Sequence, residues 1–201
     1  MSTTAALPRV PGRRDEILGI AGELFAERGF TATTVREIAD AAGILSGSLY
    51  HHFDSKEAMA DELVREVLDR VLAAYRRIAA GALGPEPALR ALVREAFGAI
   101  ATDRATVALL VNEWNLFTQV PRFGYLRVLE QETERLWVGV LEHGAAVGVF
   151  RADLDARMLY RMLRDAIWVS VRWYRADGPV GPDQLADRYV DVLLTGVRSR
   201  P

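Results

Sequence analysis

Apolar residues recur at three- and four-residue spacing along almost the whole chain, and proline and glycine interrupt them at intervals. This spacing places apolar side chains on one face of a helix, whereas a strand requires alternation. No segment shows convincing alternation, so we predict an all-α protein of about nine helices. The predicted helices span 13–28, 34–42, 46–52, 56–80, 87–101, 104–117, 122–147, 155–176 and 182–198.

The composition narrows the classes of function. The 201 residues, half of them apolar, suffice for one large domain or for a small domain followed by a larger one. There is no cysteine, which excludes disulfides, thiolate metal sites and cysteine nucleophiles and fits a reducing compartment. The first residues do not resemble a secretory signal, and no apolar run approaches the length of a membrane span. We therefore expect a cytoplasmic protein without a membrane partner.

Residues 34–52 have the pattern of a helix-turn-helix. A helix over Thr34–Ala42, with Thr34 and Glu37 at capping-box spacing, is followed by a turn at Gly43–Leu45 and a reader helix at Ser46–His52. In this motif the second helix enters the major groove of double-stranded DNA. Small side chains would let the reader approach DNA closely, and its polar side chains can donate to phosphates or base edges. The small residues are Gly47 and Ser48, and the donors are Ser48, Tyr50 and His51.

Lys56, the only lysine, falls in the first turn of the next helix, which Asp54 or Ser55 is expected to cap. A cation is unfavourable there because of the helix dipole, unless a phosphate binds at the same N-terminus. Residues 1–59 hold six basic residues and eight acidic ones. A DNA-facing charge must therefore be local. The candidates for it are Arg13, Arg14, Arg36 and Lys56.

A metal site is the main alternative for the histidines of this segment. His51 and His52 are adjacent, so on a helix their side chains point about 100° apart, and no third ligand follows at zinc spacing. We therefore predict no metal and no cofactor. The plainer alternative is that Tyr50 and His52 are half-buried aromatic side chains.

The sequence "ILGIAGELFAERGFTATTVREIADAAGILSGSLYHHFDSKEAM" resembles the N-terminal domain of the TetR family of bacterial repressors. The resemblance lies in T-T-V-R-E-I-A, A-A-G, G-S-L-Y-H-H-F and S-K-E. It implies a three-helix helix-turn-helix domain at 13–59. Residues 1–12, which are small and include prolines, are predicted to form a flexible arm before it. A ligand-binding and dimerisation domain would then span 60–201. With Gly47 added for close approach, the implied DNA contacts are Thr34, Arg36, Ser46, Gly47, Ser48, Tyr50, His51 and Lys56.

One departure from the family pattern concerns the start of the reader helix. Many members have Ser-Lys or Ser-Arg just after the valine or isoleucine of the turn, where this chain has Leu45 and Ser46. A helix cap and a base-reading cation are therefore missing. We expect an operator that differs from those of common members.

The C-terminal helices contain more apolar residues than one face requires. Helix 155–176 is apolar over much of its circumference, which is typical of a helix that is buried on several sides. With helix 182–198 it suggests an isologous four-helix interface in a homodimer. The alternative is that both helices complete the core of a monomer.

Arg164 and Trp168 lie one turn apart within this apolar helix. The residues alone favour an ordinary structural role, with Arg164 paired to an acid on another helix, such as Glu113 or Glu142, and with Trp168 in the core. We assign the other aromatic residues of this region to the core. These are Trp114, Phe117 and Trp137.

"GILSGSLYHHF", "RDAIWVSVRWYRADGP" and "GVFRADLD" together resemble the actinobacterial members of the TetR family that repress late cholesterol-ring catabolism. This resemblance implies that the inducer is a coenzyme A thioester of a bicyclic steroid remnant. It also assigns Arg164 and Trp168 to the ligand. A guanidinium suits a phosphate or a thioester carbonyl, and an indole can pack against adenine, pantetheine or a ring. The site is expected to border helix 56–80.

The sequence therefore predicts a ligand-responsive repressor without enzymatic activity that binds a palindromic operator as a homodimer. An enzyme with an apolar helical cavity is disfavoured because the chain has no P-loop, dinucleotide-binding turn, cysteine or nucleophile elbow. An architectural DNA-binding protein is disfavoured because about 140 residues follow the DNA-binding unit, more than dimerisation needs. A regulator of an efflux pump that senses lipophilic compounds should place carboxylates in its pocket, whereas helix 155–176 offers arginines.

Overall fold

The computed structural model describes residues 12–197, which contain nine α-helices and two short 3-10 turns, at Pro121–Phe123 and Ser170–Arg172. The all-α prediction is confirmed, and the predicted arm lies, apart from Gly12, outside the described residues. Within residues 12–197 no helix combines the length and the apolar character needed to cross a lipid bilayer. The helices are α1 (Arg13–Arg28), α2 (Val35–Ala41), α3 (Ser46–Leu49), α4 (Lys56–Ala80), α5 (Pro85–Thr102), α6 (Arg104–Phe117), α7 (Tyr125–Ala146), α8 (Ala156–Val169) and α9 (Pro182–Val197).

Two helices end earlier than the periodicity predicts. The reader helix α3 has only four residues, because the carbonyl of Leu49 accepts from the backbone N–H groups of both His52 and Phe53 and the chain turns to bury the Phe53 ring. Helix α8 passes into a 3-10 turn at Ser170, whose hydroxyl donates to the carbonyl of Ile167 at 2.6 Å. A hydroxyl that bonds back to the preceding turn competes with the regular helix.

The predicted helix starts are confirmed where capping signals were present. Thr34 Oγ1 accepts from the backbone N–H of Glu37 at 3.2 Å, and Glu37 Oε2 accepts from the backbone N–H of Thr34 at 2.8 Å. Ser55, rather than Asp54, caps α4 by accepting from the N–H of Ala58 at 3.1 Å. Each cap satisfies a backbone donor that has no partner within its own helix.

The buried apolar residues form two cores. We call α1–α3 with the first turns of α4 the head, and α4 from Val67 onward with α5–α9 the body. In the body α5 packs against α4, α7, α8 and α9. The head core includes Ile17, Phe25, Ile38, Leu49 and Met59.

The head core also contains four buried side chains from α6, α7 and the 3-10 turn between them. These are Leu109, Phe117, Phe123 and Leu126. The Phe30 ring of the head meets Phe117 edge to face at a centroid distance of 5.2 Å, and Phe117 stacks on Phe123 at 4.2 Å. The head is therefore closed by residues of the body, and the predicted domain boundary at residue 59 stays a prediction.

Candidate DNA-binding surface and ligand cavity

The predicted DNA contacts lie at the surface that α2, α3 and the following turn present. Buried Ile38 and Ala39 on α2 and Leu49 on α3 belong to the head core, in which α2 packs on α1 and α3 packs on α2. Among the predicted contacts, Ser46, Ser48 and Lys56 are half-buried and the others are exposed. The glycine of the turn, Gly43, adopts φ +65°, which side chains with a Cβ rarely tolerate.

Two small features of this surface favour close approach by another polymer. A Cβ built on Gly47 would contact nothing within 4 Å among the described residues except its chain neighbours and its own helix backbone, so the helix backbone is accessible there. Leu45, at the N-cap of α3, exposes 80% of its surface. The sequence identified Leu45 only as a missing cap. Its exposure adds an apolar side chain to this surface.

The capping box fixes the start of α2. Besides the two capping bonds, Thr34 Oγ1 donates to Glu37 Oε2 at 2.8 Å, and Arg28 pairs with Glu37 Oε1 at 3.1 Å. The backbone N–H of Thr34 and then its hydroxyl hold the pKa of the Glu37 carboxyl below its ordinary value. Thr34 is thereby oriented before any DNA arrives.

Each cation expected to give the head its local positive charge has a partner inside the protein. Arg13 donates to the carbonyl of Ala42, and Arg14 pairs with Glu62. Arg36 is the loosest of the four, with a side chain 84% exposed and its Nε 3.8 Å from Asp40 Oδ2. DNA-facing charge on this surface is therefore sparse.

Lys56 has the most extensive set of partners. Its Nζ donates to the carbonyls of Phe30, Thr31 and Thr33 at 2.9, 3.3 and 3.0 Å, and it lies 4.6 Å from the centroid of the Phe30 ring. An ammonium has three N–H donors, and these three carbonyls use all of them. The chain segment between α1 and α2 thus binds the cation that the sequence assigns to a phosphate, and the phosphate contact stays a prediction.

A cavity of about 340 Å³ lies between α4, α6, α7 and α8 in the body. The structure brings Arg164 and Trp168 together in its wall, and α4 borders it. Most of the lining is apolar. The lining residues are Leu68, Val71, Leu72, Tyr75, Leu110, Val111, Trp114, Asn115, Leu126, Leu129, Glu130, Thr133, Tyr160, Arg164, Asp165, Trp168 and Val169.

Arg164 binds two carboxylates at the edge of this cavity. Its Nη1 donates to Glu130 Oε1 on α7 at 2.8 Å, and its Nε donates to Asp165 Oδ1 at 2.9 Å. Burial alone lowers the pKa of the Arg164 guanidinium, but the hydrogen bond with Asp165 and the charges of Asp165 and Glu130 outweigh burial and raise that pKa. The expectation of an acid on another helix is confirmed, but that acid is neither Glu113 nor Glu142.

Tyr160 and Trp114 also line the cavity, although the sequence did not assign either of them to the ligand site. Tyr160, Arg164 and Trp168 are four residues apart, a spacing that places all three on one helix face and was available as a signal. Burial raises the pKa of the Tyr160 hydroxyl to about 12. Trp114, predicted to lie in the core, is half-buried against the head core and also lines the cavity. Phe117 and Trp137 are buried in the core as predicted.

Helix α8 exposes an apolar stripe opposite its buried face. Tyr160, Leu163 and Ile167 face the body core. Burial of the other sides would require a partner chain and stays a prediction. The stripe side chains on α8 and the following turn are between 44% and 64% exposed, and Val192 on α9 is 77% exposed. The stripe consists of Met158, Met162, Val169 and Trp173.

Among residues 12–197 no three His, Asp or Glu side chains come together in a way that could hold a metal ion. What the described residues do contain is a helix-turn-helix head joined to a helical body that encloses a mostly apolar cavity. This combination defines the class of one-component transcription regulators, in which one chain carries both the DNA reader and the ligand site.

Comparison with known proteins identifies the family within this class. Residues 17–63 match the model described as bacterial regulatory proteins, tetR family, and residues 82–197 match the model described as tetracyclin repressor-like, C-terminal domain. The chain therefore belongs to the TetR family of transcriptional repressors.

Within the family the chain is close to the KstR2 repressors. It is 50% identical over 188 residues to the HTH-type transcriptional repressor KstR2 of Rhodococcus jostii (strain RHA1), a match that covers 94% of this chain and 92% of that one. The solved structure of the ketosteroid transcriptional regulator KstR2 of Mycobacterium tuberculosis has 45% sequence identity and a TM-score of 0.91. That match covers 96% of this chain and 98% of the other.

A more distant likeness concerns the fold alone. The structure of AibR, solved in complex with isovaleryl coenzyme A and operator DNA, has a TM-score of 0.76 at 19% identity and covers 90% of this chain and 97% of that one.

Proposed function

We propose that this protein is a transcriptional repressor that binds a palindromic operator as a homodimer in the cytoplasm and is released by an acyl-CoA ester. The genes that it controls would serve steroid catabolism, as the description of the M. tuberculosis relative as a ketosteroid regulator supports. The observation that carries the proposal is the position of Arg164 and Trp168 in one mostly apolar cavity. Its relatives are named repressors, and we propose no enzymatic activity.

The operator would be read mainly by neutral side chains. Ser46, Ser48 and His51 would contact base edges, which carry the sequence information, and Gly47 would let the helix backbone approach the groove. Exposed Leu45 suits the methyl group of a thymine. The phosphate contacts would come from Thr34, Arg36 and Tyr50. Lys56 is left out because its N–H donors already serve the carbonyls between α1 and α2.

A homodimer would supply the second reader. A four-residue reader helix contacts too few base pairs for selectivity in a genome, whereas twofold symmetry doubles the contacts and requires half-sites about one turn of DNA apart. The exposed apolar stripe of α8 and Val192 of α9 would form the dimer contact. Large exposed apolar side chains on one face of a helix are typical of such interfaces.

The cavity suits the acyl part of the inducer. Its volume of about 340 Å³ is at the lower end of the range for small-molecule sites, so the rings would fill it while the coenzyme extends outward. Arg164 would donate to the thioester carbonyl and Trp168 would pack on the acyl or pantetheine chain. The fold itself accommodates an acyl-CoA and an operator, as the AibR complex illustrates for that protein.

The test compares Arg164→Met and Trp168→Leu with Arg161→Met, a control that removes an exposed arginine from the same helix. All three should bind the operator like the wild type. Release by acyl-CoA should require at least tenfold more ligand in the first two variants and the wild-type concentration in the control. Fluorescence anisotropy of labelled operator measures both quantities.

Glu130 and Asp165 are partly exposed. Removing their common partner Arg164 should therefore lower the free energy of unfolding by about 1 kcal/mol or less. Arg164→Met should therefore stay folded. Release of the operator from Arg164→Met at the wild-type ligand concentration would leave Arg164 with a purely structural role and overturn the ligand assignment.

One observation favours a second candidate, a regulator of an efflux pump that senses cationic lipophilic compounds. Glu130 places a carboxylate in the wall of the cavity, as such a sensor would require. In the structure that carboxylate is neutralised by Arg164 at 2.8 Å. Release of the operator by lipophilic cations, but not by acyl-CoA esters, would establish this alternative.

A further inference from the structure

Leu45 conflicts with its local structure in two ways at the start of the reader helix. It occupies the N-cap of α3 without a capping hydrogen bond from its side chain, and it leaves 80% of its surface exposed. Leucine is among the least favourable N-cap residues, because it has no oxygen that could accept from the N–H groups of the first turn. A single exposed leucine is common on protein surfaces, but this one also weakens a helix of only four residues. Conflicts of this kind are concentrated at functional sites.

The backbone of Leu45 is held firmly by its neighbours. Its carbonyl accepts from the backbone N–H of Ser48 at 2.9 Å and from that of Leu49 at 3.3 Å, and Leu49 is buried in the head core. On the other side, half-buried Ile44 packs against the same core. The exposed side chain therefore projects from a fixed position at the N-terminal end of the reader, the end that contacts base edges in a helix-turn-helix.

The major groove offers one apolar group to a leucine. The edges of guanine, adenine and cytosine present hydrogen-bond donors and acceptors there, whereas thymine also presents its C5-methyl group. A leucine that covers a polar edge removes water from it without supplying a hydrogen bond, which is unfavourable. A leucine that covers the methyl group removes apolar surface of both partners from water, which is favourable.

We propose that Leu45 is a specificity residue that packs on the methyl group of one thymine in each half-site of the operator. This inference deepens the proposed function and rests on it, since it assumes that α3 enters the major groove of a palindromic operator. The other three bases are disfavoured both by the loss of the methyl contact and by the removal of water from their polar edges. The residue thus improves selectivity on DNA while it lowers the stability of the free helix.

The experiment uses the full-length protein and DNA duplexes that the wild type enriches from a random library. Each thymine of the enriched sequence, together with its symmetry mate in the other half-site, is replaced by deoxyuridine. Deoxyuridine pairs with adenine as thymine does and lacks only the C5-methyl group. Fluorescence anisotropy of the labelled duplexes measures the affinity.

For the wild type, one symmetric pair of thymines should stand out. Removing both methyl groups of that pair should weaken binding about fifteenfold, since burial of one such group corresponds to about a fourfold change in affinity. The ratio of the two affinities should not depend on salt concentration, because a methyl contact releases no counterions.

Three variants test whether Leu45 is the residue responsible. In Leu45→Ala the thymine–uracil ratio at that pair should fall to about twofold or less, because most of the apolar contact is lost. Leu45→Met keeps an apolar side chain of similar reach and should retain most of the ratio. Leu83→Ala is the matched control, since Leu83 is 50% exposed just after the C-terminal end of α4, far from the reader. It should give the wild-type ratio.

Leu45→Ser separates selectivity from folding. A serine at this N-cap can accept from the first turn of α3, so the melting temperature should rise by about 2–4 °C. The thymine–uracil ratio should nevertheless fall as it does in Leu45→Ala. A loss of selectivity in a more stable protein cannot be due to unfolding.

Two results would overturn the inference. One is a wild type for which no pair of thymines can be distinguished from uracil, and the other is a ratio that stays the same in Leu45→Ala and Leu45→Ser. Failure of the proposed function has another signature, because the wild type would then enrich no sequence and bind all duplexes alike. That result would remove the basis of the inference as well.

Discussion

Lys56 makes contacts in the structure that its position in the sequence does not indicate. Its place at a helix N-terminus indicated a phosphate, but its ammonium binds the carbonyls of Phe30, Thr31 and Thr33. Those carbonyls belong to the segment just before the cap of α2, so the cation positions Thr34 from within the head. No feature of the local sequence reveals this arrangement, because it joins residues more than twenty positions apart.

The role of Lys56 can be separated from a phosphate contact by salt titration. Lys56→Met should lower the free energy of unfolding by about 1–3 kcal/mol, since three backbone acceptors lose their donor. Operator affinity should fall, while the slope of log Kd against log salt concentration stays that of the wild type. Thermal denaturation and anisotropy titrations at several salt concentrations measure these quantities.

Arg36→Met is the matched control for this prediction. Arg36 is exposed and loosely paired, so its loss should leave the melting temperature unchanged. It should reduce the salt slope by about 1.8, the value for two phosphate contacts, one from each subunit of the proposed homodimer. A similar reduction of the slope in Lys56→Met would restore the phosphate contact that the sequence predicts.

At the residue scale, the sequence predicted an interaction correctly where both partners lie within one helical turn. The capping box of Thr34 and Glu37 was predictable because both partners lie within one turn. The shared face of Arg164 and Trp168 was predictable for the same reason. The partner of Arg164 was not, since Glu130 is one of many acids on other helices and only their packing selects it.

At the scale of helices, α6 contacts both the cavity and the head. Leu110 and Trp114 line the cavity, while Glu113 Oε1 accepts from the backbone N–H of Phe30 at 3.1 Å and Phe117 packs against the Phe30 ring. A ligand that displaces Trp114 therefore acts on the helix that holds the end of α1. From the sequence, only α4 was expected to border the ligand site, because α6 has no signal that marks contact with the head.

Glu113→Ala should weaken this connection without touching the ligand. It removes one hydrogen bond, worth about 1 kcal/mol of folding free energy, and leaves the cavity lining in place. Ligand affinity should match the wild type, whereas the factor by which saturating ligand weakens operator binding should fall several-fold. Asn112→Ala, at an exposed neighbouring position on α6, is the control. Equal factors in both variants would exclude a role for the Glu113 contact.

The sequence predicts the end of a helix where a capping residue or a glycine marks it. It does not predict the end where tertiary packing determines the position. The bounds of α4 and α6 agree with the periodicity. Helix α8 was predicted to continue to residue 176, because its apolar residues continue beyond Val169. The apolar spacing along α8 includes the exposed stripe, because the sequence alone does not distinguish a side chain in the core from one that contacts a second chain.

At the scale of the whole molecule, the exposed stripe of α8 predicts the oligomeric state. Met162, 64% exposed near the middle of α8, should be buried against its symmetry mate in a homodimer. Met162→Glu would place two like charges in that contact and should give a monomer in size-exclusion chromatography with light scattering. Operator affinity should fall by more than a hundredfold, since the two half-sites would no longer be bound together.

Val128→Glu provides the control, because Val128 is an equally exposed apolar residue, 61% accessible, on α7. It should leave both the mass and the operator affinity as in the wild type. A wild-type protein that is monomeric at micromolar concentration and still binds its operator specifically would contradict the proposed assembly.

The four body side chains that close the head core also limit how proteins of this kind can be recombined. A chimaera that grafts only the DNA-reading segment onto a foreign ligand-sensing segment would leave Phe30 without the aromatic stack of Phe117 and Phe123. A successful exchange of operator preference therefore has to transplant the matching faces of α6 and α7, or be confined to the few exposed positions of α3. During evolution, substitutions in the head and in the body are therefore tolerated only where they preserve the packing of Phe30 on Phe117 and of Phe117 on Phe123.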